Sequence, residues 1–140
     1  MSKEDYLRLM YKICEEQGLE KLSDMGIKKV DIAQKMNISK PSVTQMMNKF
    51  AKEDLVKIDS YSKVFFTNKG LKLAKKITYN YRIIETFLQK TLEYDSLDKI
   101  REEAHKLEHA FSDEAIQRLD NFLGNPKVCP HGDKINKNIS

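Results

Sequence analysis

Apolar residues recur at spacings of three and four over most of the chain, which is the mark of helices that bury one face. Over residues 3–17, Tyr6, Leu7, Met10, Tyr11 and Cys14 share a face, and Gly18 supplies a stop. Residues 19–28, with Ser23, Asp24 and Gly26, read as a loop. Residues 29–36 read as a short helix with Val30, Ile32, Ala33 and Met36 inward. Asn37-Ile38-Ser39 makes a turn. Ser39 is a suitable N-cap, and Pro41 suits the first turn of a helix that runs to about Lys52 and buries Val43, Met46, Met47 and Phe50. The pattern then changes. Leu55–Ile58 and Lys63–Thr67 are β-branched and aromatic and flank the polar turn Asp59-Ser60-Tyr61-Ser62, which predicts a hairpin. Helical spacing returns from Asn68 to Lys90, with Leu71, Ala74, Ile77, Tyr81, Ile84 and Leu88 inward. It continues over 95–110 and, behind the cap Ser112, over 113–123. Gly124-Asn125-Pro126 ends the last helix, and the polar residues after Asp133 predict a frayed tail.

Helix, helix-turn-helix, hairpin and three further helices predict a mainly α fold. It comprises an N-terminal winged helix-turn-helix over 1–70, a C-terminal helical domain over 71–133, and a flexible tail over 134–140. The length of 140 residues allows one domain or two very small ones. Composition narrows the class: 40% hydrophobic and 33% charged residues, with a mean hydropathy of −0.61, exclude both a disordered chain and a membrane span. The start, Met1-Ser2-Lys3-Glu4-Asp5, leads straight into the first helix with no secretory pattern, so the expectation is a cytoplasmic protein. Two cysteines, Cys14 and Cys129, do not make a disulfide framework.

Charge is unevenly spread. Residues 1–90 hold 18 Lys and Arg against 11 Asp and Glu, and residues 91–140 hold 7 against 10. A basic face for nucleic acid followed by an acidic module for a cation fits this division. In the helix-turn-helix, the second helix would enter the major groove by its N-terminal end, presenting Ser39, Lys40, Pro41, Ser42, Thr44 and Gln45. Gln can pair with adenine, and hydroxyls can reach base edges or phosphates. Lys40, Lys49, Lys63 and Tyr61 are candidate phosphate contacts. The bland alternative is a helical hairpin with Ser and Thr as caps and Lys as surface. The Lys-bearing hairpin that follows favours the DNA reading. One such module reads few base pairs, so specificity calls for a homodimer on a palindromic duplex.

The chemistry concentrates in His105-Lys106-Leu107-Glu108-His109, where two of the three histidines flank a carboxylate. Positions i, i+3 and i+4 share one helix face, and two imidazoles with a carboxylate suit a divalent transition metal. His131 sits in Cys129-Pro130-His131-Gly132, again beside a metal-binding side chain. The H-x-x-E-H spacing also occurs in inverted zinc peptidases. The short chain and its large DNA-reading share argue against an enzyme.

The chain resembles the diphtheria toxin repressor and manganese transport regulator family of metal-dependent repressors. The match rests on Glu4-Asp5-Tyr6-Leu7 with Tyr11, on Ser39 to Gln45, on Leu55-Val56 and Thr67-Asn68-Lys69-Gly70, on Glu103 to His109 with Ser112-Asp113-Glu114, and on Gly124 to Gly132. The resemblance implies a homodimer that binds operator DNA when loaded with Mn²⁺ or Fe²⁺ and represses metal-uptake genes. It implies a primary metal site of Asp5, His105, Glu108 and His109, and an ancillary site of Glu85, Cys129 and His131. It also implies that metal at the primary site fixes the orientation of the DNA-binding domain. The chain departs from the family pattern at several positions. Arg8 stands where manganese-type members have a second carboxylate, Tyr81 where they have histidine, and His105 where members have Cys or Glu. The expected form is the two-domain one, without the SH3-like third domain of many relatives. These departures argue against a two-metal manganese cluster. The N₂O₂ primary set suits Mn²⁺ or Fe²⁺ and should also take Zn²⁺ or Co²⁺, while the Cys-His-Glu set is softer. Two other functions fit the residues less well: a winged-helix sensor of a small organic ligand, and a zinc hydrolase.

Overall fold

The computed structural model describes residues 2–18 and 26–138. They divide into two compact units, Met1–Lys75 and Lys76–Ser140, so the division falls a few residues later than the expected boundary at 70.

In the first unit, α1 (Lys3–Gln17) opens on a capping box. Ser2 Oγ accepts from the Asp5 N–H, and the Asp5 carboxylate accepts from the Ser2 N–H. Its face of Tyr6, Leu7, Met10, Tyr11, Ile13 and Cys14 is buried. A short strand β1 (Ile27–Lys28) precedes α2 (Lys29–Met36) and α3 (Lys40–Lys52). Most of the expected loop, residues 19–25, lies outside the described residues, but its last two residues are this strand. Asn37 takes the left-handed conformation (φ 54°) that closes α2, and Ser39 caps α3. Val30 is exposed rather than inward. It stands in the first turn of α2, while Ile32, Ala33 and Met36 supply that helix's buried face.

The hairpin is β2 (Val56–Ile58) and β3 (Lys63–Phe66). β1 adds to the far side of β3, giving an antiparallel sheet of order β1-β3-β2 with Ile27 opposite Val64 and Ile58 opposite Val64 on the other edge. α4 (Asn68–Lys90) leaves the sheet through a tight crossing. Thr67 Oγ1 donates to the Asp54 carbonyl at 2.6 Å and accepts from the Gly70 N–H at 3.0 Å.

In the second unit, the later part of α4 packs with α5 (Leu97–Leu107) and α6 (Asp113–Phe122). Tyr79, Ile83, Ile84, Leu88, Ile100, Ala104 and Ile116 form its core. The segment expected to be a flexible tail makes defined contacts at Lys134, Ile135 and Lys137. Val128 and Lys134 form a β-bridge, the Ile135 N–H donates to the Lys127 carbonyl at 2.8 Å, and Ile135 is buried. A single apolar side chain in a polar stretch finds the core, while Lys134, Lys137 and Asn138 stay exposed. No helix of the described residues is long and apolar enough to cross a membrane.

Gly70 is the tightest point of the α4 crossing. A Cβ there would stand 1.8 Å from the Leu55 carbonyl oxygen, a backbone atom with little room to move. Gly70→Ala should therefore destabilise the first unit by about 3 kcal/mol or more, read as a lowered denaturation midpoint. A midpoint near that of the unaltered protein would mean that the crossing is looser than described.

Candidate metal centre and nucleic-acid face

The DNA-reading residues lie where the helix-turn-helix pattern puts them. Ser39, Lys40, Pro41, Ser42, Gln45 and Lys49 are exposed and Thr44 is half-buried. Ser39 is also structural. Its Oγ accepts from the Ser42 N–H at 3.3 Å and lies 2.8 Å from Ser42 Oγ. At the wing tip, one Asp59 carboxylate oxygen accepts from the Tyr61 N–H at 2.9 Å and the Lys63 N–H at 2.8 Å. This Asx-type bracing fixes the turn, so that Lys63 is exposed and Tyr61 is 85% exposed. Lys28, Lys29, Val30, Lys40, Tyr61, Ser62 and Lys63 line one groove between the wing tip and the starts of α2 and α3. Lys28 and Lys29 were not singled out in the sequence, because β1, which sets them beside the wing, is formed only by pairing with β3.

Asp5 sits in the first turn of α1, with both carboxylate oxygens engaged by its own helix. Oδ2 accepts from the Ser2 N–H at 3.0 Å and Oδ1 from Arg8 Nη2 at 2.5 Å. In the second unit, His105 Nδ1 lies 3.5 Å from Glu108 Oε2. The Glu108 side chain is 6% exposed and that of His105 is 42% exposed. The Tyr81 ring meets the His105 ring edge-on at 5.6 Å, and Tyr81 Oη donates to the Arg101 carbonyl at 3.4 Å. Tyr81 thus braces α5 against α4. Helix α5 ends at Leu107, so Glu108 is its C-cap and His109 lies in the turn beyond, exposed. Ligand atoms of His105 and Glu108 are gathered, and among the described residues His109 stands outside that group. Glu108 keeps helical dihedrals (φ −60°, ψ −27°) and donates its N–H to the Ala104 carbonyl, so it continues the line of His105, and His109 follows in the turn.

The second candidate set is gathered more fully. Ligand atoms of Glu85, Cys129 and His131 all lie within 4.8 Å of one another. Glu85 projects from α4, and Cys129 and His131 come from the loop after α6. Cys129 is buried, and desolvation pushes its thiol pKa up, against the lowering effect of backbone N–H groups of Asp133 and His131. The Glu85 side chain is 4% exposed and its Oε2 lies 2.8 Å from His131 Nδ1. A carboxylate this buried requires a cation or strong donors around it. Carboxylate, imidazole and thiol at this separation are a donor set for a transition metal of intermediate softness.

Two cationic side chains hold the loop in place. Arg82, buried on α4, donates to the Lys134 carbonyl at 2.8 Å and lies 3.8 Å from Asp133 Oδ2. Lys137 Nζ donates to Asp120 Oδ1 at 2.6 Å, while Tyr79 Oη donates to Asp120 Oδ2 at 2.5 Å. Burial first, and then the Asp120 carboxylate, drive the Tyr79 phenol pKa well above its ordinary value.

Comparison with known proteins finds a match for each half of the chain. Residues 1–64 match the iron dependent repressor N-terminal DNA binding domain, and residues 67–137 match the iron dependent repressor metal binding and dimerisation domain. The chain is 36% identical to an uncharacterized HTH-type transcriptional regulator of Methanocaldococcus jannaschii, over 86% of this chain and 90% of that protein. It is 30% identical to the HTH-type transcriptional regulator MntR of Bacillus subtilis, over 87% of this chain and 80% of that one. Among solved structures, the manganese regulator SloR superposes with a TM-score of 0.80 at 42% identity, and ScaR with bound Zn²⁺ with 0.77 at 38%. Each covers 100% of this chain, which spans 62% of the length of either.

The Lys137–Asp120 contact generates a prediction. Lys137→Ala leaves a buried carboxylate with one partner fewer, and should lower stability by about 1–2 kcal/mol. Amide exchange at Cys129 and Ile135 should accelerate more than exchange in the middle of α4. Equal acceleration everywhere would mean that Lys137 supports the whole unit rather than the loop.

Proposed function

Because the chain belongs to the iron-dependent repressor family of metal-dependent transcriptional regulators, we propose that it acts as a homodimer on palindromic operator DNA and represses metal-uptake genes in the cytoplasm. The family's members are regulators, so zinc hydrolysis through His105, Glu108 and His109 falls away, as does an organic-ligand sensor. The observation that carries the reading is the Glu85–Cys129–His131 set: a buried carboxylate, thiol and imidazole held within 4.8 Å on a chain that also presents an exposed recognition helix.

The residue roles extend this reading. Gln45, Ser42 and Thr44 read base edges, and Ser39, Lys40, Pro41, Lys49, Tyr61 and Lys63 set the register on the backbone. Asp5, His105, Glu108 and His109 form the primary metal site and Glu85, Cys129 and His131 the ancillary one, as the resemblance implies. The His105–Glu108 approach of 3.5 Å supports the first, and His109 is its least supported member. A bound divalent metal supplies positive charge to these donors and ties them together. Asp5, the N3 residue of the α1 capping box, would bring the DNA-reading unit under that charge, as the resemblance implies. Glu108 holds its carboxylate out of water, where its interaction with a cation is strongest. Mn²⁺ or Fe²⁺ is the proposed physiological ion, since the primary set is sulfur-free; Zn²⁺ and Co²⁺ also fit these donors. Exposed Leu92, Leu97, Phe122 and Val128 in the second unit support a second copy as the partner.

Selection of operators from a random duplex pool, repeated with added Mn²⁺ and with a chelator, tests the reading. Enrichment of one palindromic sequence only when metal is present is the expected result. Equal enrichment under both conditions would remove metal dependence from this chain. On the selected operator, Gln45→Ala should weaken binding by about 1–3 kcal/mol and broaden base preference. Lys63→Ala should weaken all sequences alike and lower the salt slope by about one. A Gln45→Ala protein with unchanged preference would place recognition elsewhere.

A further inference from the structure

The nitrogen of His131 that faces away from Glu85 is already occupied. Arg101, on α5, places Nη2 3.2 Å from His131 Nε2. A guanidinium carries five donors and no acceptor. Arg101 therefore donates, Nε2 offers its lone pair, and the proton of the neutral ring sits on Nδ1. Nδ1 lies 2.8 Å from Glu85 Oε2, where its N–H donates to the carboxylate. Neither ring nitrogen has a lone pair free for a metal in this arrangement. Ligation through Nε2 requires the guanidinium to leave. Ligation through Nδ1 requires the ring proton to pass to Nε2, where it would face an Arg donor, so the guanidinium must again leave.

Arg101 is built to do so. Its side chain is 54% exposed, and Nη1 already lies 3.5 Å from Asp98 Oδ1, one turn back on the same helix. The charge has a second resting place there. The Arg101 carbonyl accepts from Tyr81 Oη, so the backbone of α5 stays anchored while the side chain swings out.

We propose that Arg101 is a gating residue for the Glu85–Cys129–His131 set. It caps His131 Nε2, competes with a divalent cation for that imidazole, and thereby raises the metal concentration at which the set fills. The competition has two parts, a hydrogen bond to be broken and a like charge close to the incoming cation. It makes the second set the later one to load. The inference rests on that set being a metal site.

The test is a Co²⁺ titration of the purified full chain, following the thiolate-to-cobalt absorption that only Cys129 at this set can give; Cys129→Ser is the spectral control. Arg101→Gln should shift the midpoint of that band to about three- to tenfold lower Co²⁺. Arg101→Lys, which keeps a cation, should move it less. The shift should shrink at high salt, because the competing charge is solvent-exposed and screened; a purely structural role would not respond in this way. A Cys129-dependent band whose midpoint is unmoved or raised in Arg101→Gln would overturn the gate while leaving the site. No such band in either protein would overturn the site, and the gate with it.

Discussion

The second unit depends on one buried charge. Glu85 lies on the central stretch of α4 with its side chain almost wholly out of water, and an isolated carboxylate cannot remain ionised there. His131 answers it at 2.8 Å. To bring His131 to that point the chain must turn back after α6, so Gly124, Asn125 and Gly132 take positive φ. Cys129 is buried in the same turn, and the returning segment is fastened by Arg82, Ile135 and Lys137. A donor set for a soft-to-intermediate cation is thus a consequence of satisfying one carboxylate. The same demand makes a cation a natural occupant.

The first unit shows a related economy of donors. Asp5 serves α1 as half of a capping box and also receives Arg8. Arg101 makes a comparable contact at His131. In both places a side chain proposed as a metal ligand holds a partner from the protein itself, so metal binding as proposed would be an exchange of partners rather than the filling of an idle site. Exchange of this kind gives a threshold, which a regulator needs more than it needs tight binding.

Much of this was legible in the sequence, for local reasons. Helix spans followed from apolar spacing, and their starts from Ser39 and Ser112, which cap as expected. The hairpin followed from β-branched runs around a polar turn. What was not legible depends on distant contacts. β1 is two residues long and exists only as a partner of β3, so Lys28 and Lys29 escaped notice. Ile135 gave no periodic signal, yet its burial orders the tail. α5 ends at Leu107 with Glu108 as its cap, which leaves His109 in a turn that spacing alone treats as helix. Cys129 and His131 were visible as a pair, but Glu85 stands 44 residues before Cys129 and entered only through the family resemblance. Arg101 carried no signal at all, since its role lies in a contact across the fold.

The central claim is that metal occupancy and operator binding are one coupled equilibrium. Linkage makes the coupling reciprocal: whatever factor metal adds to operator affinity, operator adds to metal affinity. The most direct measurement is therefore the metal affinity of the protein with and without a saturating selected operator duplex. The account predicts that the duplex tightens metal binding roughly 5–150-fold, by the same factor that metal gives to operator binding. A metal affinity indifferent to the duplex would contradict it.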